Sequence, residues 1–125
     1  MENSSATILV LDDEELVRAN IVAFLEDEGF AVIPAESGEE ALEILKSRPV
    51  DIGIIDMRLP GIDGNTFILQ AHALNPRMRF MIHTGSINYT LPRELHEIGV
   101  RAGDVFRKPE TSLTDMLGKI RTFLE

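Results

Sequence analysis

The chain has 125 residues, 44% hydrophobic and 26% charged, with no cysteine and a net charge of −9. That size and composition fit one globular domain with a single core, and the missing cysteines exclude disulfides, thiolate metal sites and cysteine nucleophiles. The charge repels polyanions, so this chain is not expected to bind nucleic acid; no apolar run reaches the roughly 18 residues of a membrane span, and "MENSSA" lacks the basic and apolar parts of a signal peptide, which makes the cytoplasm the expected compartment.

Strand-like and helix-like runs then alternate. "ATILVL" (6–11) reads as a strand buried on both faces. Val17, Ile21, Phe24 and Leu25 fall at i, i+4, i+7 and i+8, one apolar helix face that Gly29 ends. "FAVIPA" (30–35) is a second strand, and Pro34 suits an edge. Ser37 with Glu40 predicts a capping box for a helix to about Ser47, closed by Pro49. "VDIGIID" (50–56) is the third strand. Phe67, Ala71 and Leu74 form a helix face stopped by Asn75 and Pro76, and "RFMIHT" (79–84) is the fourth strand. A short helix is expected between Pro92 and Ile98. "DVFRK" (104–108) is the fifth strand, and Ser112 with Asp115 caps a helix carrying Leu113, Leu117, Ile120 and Leu124. Five such alternations predict an α/β fold, a doubly wound five-stranded parallel sheet with helices on both faces.

In such sheets ligands sit beyond the carboxyl ends of the strands. The first strand ends in Asp12 and Asp13, the third in Asp56, the fourth in Thr84 and the fifth in Lys108. In the flavodoxin-like order 2-1-3-4-5, taken from known folds, these ends surround one hollow. Two carboxylates ~4 Å apart repel by roughly 4 kcal/mol at an effective dielectric near 20. A hard divalent cation relieves this, and Mg²⁺, or Mn²⁺ as an alternative, accepts such oxygen ligands together with phosphate oxygens. Lys108 adds a second positive charge for a phosphoryl group. A carboxylate nucleophile, a metal and a lysine together suggest phosphoryl transfer to an aspartate. Each residue alone has a plainer role: Asp12 and Asp13 as helix caps, with Glu14 and Glu15 favouring the dipole and nothing more. His83 is expected to point away from the site, because it alternates with Thr84.

The "DD" after the first strand, "DMRLPGIDG" (56–64), "TG" (84–85) and "KP" (108–109) resemble the receiver domain of two-component response regulators over the whole chain, 1–125, as a single domain. The resemblance implies that Asp56 is the phosphoacceptor for a sensor histidine kinase or phosphotransfer protein. Asp13 would hold Mg²⁺ directly, Asp12 largely through water, and the backbone carbonyl of Arg58 would be a further ligand. Thr84 and Lys108 would bond the phosphoryl group, and Lys108–Pro109 would be cis. It implies no separate enzyme activity beyond self-catalysed phosphoryl transfer and aspartyl-phosphate hydrolysis. The output partner or effector domain is not implied. A partner or a second copy would meet the face of the fourth helix, fifth strand and fifth helix. One departure stands out: the family's aromatic three residues before the lysine is Val105 here. The 86–91 loop, with Tyr89, is therefore expected to carry more of any conformational change than the fifth strand.

Other classes fit less well. An aspartyl phosphatase wants Asp-x-Asp after its first strand and room for a cap domain. A nucleotide or flavin binder wants glycines or hydroxyls there, and "DDEE" would repel phosphate. The alternative within the fold is a receiver-like interaction module not controlled by phosphorylation.

Overall fold

The computed structural model describes residues 6–109 and 112–125. Five strands, β1 (Thr7–Leu11), β2 (Ala31–Ala35), β3 (Ile52–Asp56), β4 (Arg79–Thr84) and β5 (Val105–Arg107), alternate with five α-helices, α1 (Glu15–Asp27), α2 (Gly38–Ser47), α3 (Gly64–Leu74), α4 (Arg93–Glu97) and α5 (Leu113–Leu124). All pairings are parallel and the order is β2-β1-β3-β4-β5. This is the doubly wound parallel sheet expected from the alternation, in the flavodoxin-like order taken from known folds.

The pleat sorts each strand's side chains between two cores. Leu9, Leu11, Ile55, Phe80 and Ile82 pack with Phe67, Ile68 and Leu95 from α3 and α4. Ile8, Val10, Ile54 and Met81 pack with Ile21, Leu25, Met116 and Ile120 from α1 and α5. With both faces covered, the strands need continuous apolar runs, which is why they read so clearly. Polar groups are left to the strand ends.

Local signals place the helices. Ser37 Oγ accepts from the Glu40 N–H at 3.1 Å and Ser112 Oγ from the Asp115 N–H at 3.0 Å. The Glu40 carboxylate turns to the Glu36 N–H at 2.8 Å, so the α2 box closes one residue earlier than expected. Asp63 caps α3 by accepting from the Thr66 N–H at 2.8 Å. Gly29, at φ 99°, ends α1 in a conformation that a side chain would oppose. Pro34 lies on the edge strand β2, where its missing N–H breaks no ladder. A Cβ at Gly64 would collide with the Asp56 carbonyl and the Met57 backbone, so glycine lets the loop after β3 fold back on that strand.

Several strand bounds differ from the sequence reading, the first two strands each starting one residue later. The third strand begins at Ile52 rather than Val50, and the fifth is Val105–Arg107 rather than 104–108. Asp104 instead closes a short 3₁₀ turn, where its carboxylate accepts from the Arg101 N–H at 2.9 Å and pairs with Lys119 at 3.2 Å. α4 has five residues and lies between Pro92 and Ile98, as expected. Lys108–Pro109 is cis.

Candidate functional site

Strand alternation carries the charged residues to one place. Asp12 follows Ile8 and Val10, Asp56 follows Ile52 and Ile54, and Lys108 follows Phe106; all of these apolar residues belong to the core on the α1/α5 face. The chemistry therefore begins where that core ends. Asp12 and Asp56 are only 2% and 4% exposed, and Asp13 is exposed. One carboxylate oxygen from each of the three lies within 4.8 Å of the others. Lys108 Nζ stands 3.0 Å from Asp12 and 3.5 Å from Asp56. Asp13, Glu14, Asp56, Arg58, Gly85 and Lys108 line a cavity of about 570 Å³.

The backbone fixes these groups. The Asp12 N–H donates to the Ala35 carbonyl at 3.1 Å, its Oδ1 accepts from the Glu14 N–H at 2.9 Å, and its carbonyl accepts from Arg18 Nη1 at 2.8 Å. The Arg58 N–H donates to Asp56 Oδ1 at 3.3 Å. The Lys108 N–H donates to the Thr84 carbonyl at 2.8 Å, which ties the end of β5 to β4.

Too much negative charge meets one ammonium. Burial first, and then Asp12, push the Asp56 carboxyl up to about 6, against the pull of Lys108 and the Arg58 N–H. Burial works to lower Lys108, but the hydrogen bonds its ammonium donates to Glu14 and Asp12, and the nearby negative charges, outweigh it, and the net shift is upward. Asp56 is thus mostly ionised at neutral pH and gains from any added cation.

The residues singled out from the sequence are only partly united. Asp12, Asp13, Asp56 and Lys108 converge, and Arg58 lines the same cavity. Thr84 is fully buried on the other face, and its hydroxyl accepts from the Ser86 N–H at 3.1 Å; its neighbour Gly85 reaches the cavity instead. Two expectations need correction. Glu14 does more than favour the helix dipole: its carboxylate lies 3.0 Å from Lys108 Nζ and makes no side-chain cap, because the ammonium draws it across the cavity. His83 does not point away from the site. It alternates with Thr84, but the register pairs it with Asp56, so it shares Asp56's face. It lines a second, smaller cavity with Lys108 and Pro109, is 8% exposed, and its Nδ1 has no hydrogen-bond partner among the described residues. Burial first, and then Lys108, bring it down to about 4, so it is neutral. A strand-register argument could have found His83; the Glu14 contact, spanning 94 residues, had no local signal.

This acidic corner lies at the carboxyl ends of a 2-1-3-4-5 sheet, where doubly wound folds place their ligand sites. The chain belongs to the response regulator receiver domain family, whose model matches residues 8–121. It is 35% identical over 95 residues, 74% of the chain, to the sensor kinase CckA of Brucella abortus. The chain spans 10–29% of the length of the curated relatives compared. A response regulator receiver domain from Clostridium thermocellum is similar with TM-score 0.83 at 30% identity, covering 95% of this chain and 94% of that one. The response regulator TrrA of Thermotoga maritima, solved with Mg²⁺ and BeF, has the same fold with TM-score 0.80 at 24% identity, covering 94% of this chain and 98% of that one. Among the described residues no helix is long and apolar enough to cross a membrane.

Proposed function

We propose that residues 1–125 act as one phosphoacceptor unit, with Asp56 taking a phosphoryl group from a phosphohistidine of a sensor kinase or phosphotransfer protein. The observation that carries this reading is the convergence of three carboxylates and Lys108 at the strand ends. An oxygen of Asp56 forms the P–O bond while the P–N bond breaks. The bonding pair returns to the imidazole nitrogen, which takes up a proton. Hydrolysis reverses the gain: a water oxygen attacks phosphorus, the carboxylate leaves with its electron pair, and inorganic phosphate departs. The chain works on its own phosphoryl group and turns over no separate substrate.

The donor set suits a hard divalent ion, being all oxygen, closely spaced and short of positive charge. Asp12, Asp13, Asp56 and the Arg58 carbonyl would hold Mg²⁺, or Mn²⁺, which when bound supplies neutralising charge for the phosphoryl oxygens. The Mg²⁺ named for TrrA supports this choice. Lys108 neutralises another oxygen. To do so it exchanges Asp12 and Glu14 for the phosphoryl group. The Thr84 hydroxyl would donate to a further oxygen once the backbone after β4 turns it into the cavity. The signal would leave through the face of α4, β5 and α5, to an output partner or a second copy, in a cytoplasmic setting.

The test is incubation with acetyl phosphate or phosphoramidate and Mg²⁺, read by intact mass. One phosphoryl mass, labile to hydroxylamine and absent from Asp56→Asn, is expected. Equal labelling of that variant would refute Asp56, and no labelling at all would favour an interaction module without phosphorylation.

A further inference from the structure

The end of β5 carries two adjacent cations, Arg107 and Lys108, which the pleat sends to opposite faces of the sheet. Lys108 takes the carboxylates. Arg107 reaches the loop between β4 and α4, where Nη1 donates to the Ser86 carbonyl at 2.8 Å and Nη2 to the Tyr89 carbonyl at 3.2 Å. The Ser86 carbonyl also accepts from the Tyr89 N–H at 3.3 Å, so the guanidinium braces a turn that the backbone has already drawn. Tyr89 packs against the same core as Val105, and its hydroxyl donates to Asn65 Oδ1, in the first turn of α3, at 2.9 Å. Burial, and then Asp63, push that phenol up to about 12, so it remains a donor at working pH. At its near end the loop is tied to the site's own hydroxyl, because the Ser86 N–H donates to Thr84 Oγ1 at 3.1 Å.

We propose that Arg107 and Tyr89 form a latch that holds the β4–α4 loop against β5 and α3 while Asp56 is unmodified, and that phosphorylation opens it. The coupling half of this rests on the phosphoacceptor reading. Thr84 does not line the cavity and its hydroxyl accepts from the Ser86 N–H, so turning that hydroxyl toward a phosphoryl group breaks the bond or draws Ser86 with it. Ser86 is one anchor of the guanidinium in this loop, so that movement breaks its bond from Arg107 and strains the one to Tyr89. Loss of the second anchor frees Tyr89 from Asn65. Several bonds lost together make the change two-state rather than gradual, and the Thr84–phosphoryl bond supplies the differential affinity such a shift requires. Val105 is small and has no hydroxyl, so the loop supplies from its own side the aromatic ring and hydroxyl that β5 lacks.

Amide hydrogen exchange on the full chain tests this, for wild type, Arg107→Gln and Tyr89→Phe, each alone and with Mg²⁺ and beryllofluoride. Without additive, both variants are expected to exchange at 86–91 about 5-fold or more faster than wild type, as the loss of net-stabilising hydrogen bonds requires. Beryllofluoride should accelerate the same amides in wild type and add little in Arg107→Gln. Acetyl phosphate should label Arg107→Gln as fully as wild type, since Arg107 lies outside the cavity. Equal exchange of the three proteins without additive overturns the latch. Full labelling of wild type with no effect of beryllofluoride at 86–91 overturns its coupling to Asp56. Absence of labelling in wild type overturns the phosphoacceptor reading and the coupling with it, while the comparison without additive still decides whether the latch exists.

Discussion

The corner around Asp56 and the corner around Tyr89 lie at the same strand ends, on opposite faces of the sheet, and they are held by opposite means. At Asp56, carboxylates crowd one ammonium, and the Asp56 carboxyl is pushed up to about 6. At Tyr89, one guanidinium and one phenol donate to neutral oxygens of the loop and of α3. The first corner is frustrated at rest and relaxes on gaining a cation. The second is satisfied at rest and gives something up if it moves. On the proposed reading, a phosphorylated chain would gain at one corner and lose at the other, and the difference would set how far the switch is thrown.

The largest effect that separates the corners is all or none. Asp56→Asn should take no phosphoryl group, whereas Tyr89→Phe should be labelled like wild type, both read by intact mass. Equal loss in the two would mean that the corners do not divide the work.

Next comes the cation. Mg²⁺ at a hundred times its dissociation constant should stabilise wild type by about 2.7 kcal/mol, seen as a rise in thermal midpoint. Asp13→Ala should lose that rise and be at least as stable as wild type in EDTA, because a repelling charge has gone. The same rise in both proteins would contradict the metal site.

The pH profile sharpens the contrast further. Asp56 is raised from 3.8 to about 6, so the folded chain binds that proton more tightly than the unfolded one. Stability from this group is greatest near pH 4 and falls as pH rises through about 6. His83 is lowered from 6.5 to about 4, so its contribution is full above pH 6.5 and is lost as pH falls toward 4. The two slopes oppose each other. Wild type should therefore change little between pH 4 and 6, Asp56→Asn should lose stability with acid, and His83→Gln should gain it, by about 2 kcal/mol each across the window. Urea midpoints at pH 4, 5 and 6 decide this, and three parallel profiles would disprove it.

The smallest effect belongs to the satisfied corner. Tyr89→Phe removes one hydroxyl from Asn65 and should cost about 0.5–1.5 kcal/mol. A stabilised variant would show the phenol to be strained rather than bonded.

Much of the frustrated corner was legible in the chain itself. Its acids follow directly on apolar runs, so finding the strands finds the site. Asp12, Asp56 and Lys108 each continue their strand's alternation by one step. The satisfied corner was legible through an absence, Val105 where an aromatic is usual, which directed the expectation to Tyr89 and the 86–91 loop but not to its partners. No local signal marks Arg107, and its hold on Ser86 and Tyr89 spans 21 and 18 residues.

What the sequence determined by itself was local: continuous apolar runs because both sheet faces are covered, helix starts at Ser37 and Ser112 because a side-chain oxygen meets a free N–H, and acids at strand ends because charge is excluded from the two cores. What only the tertiary structure decided was which distant residues share a face. His83 stands opposite Asp56, Glu14 reaches Lys108, and Thr84 turns from the cavity because parallel register is set between strands far apart in the chain, and shifting it by one residue would exchange the faces.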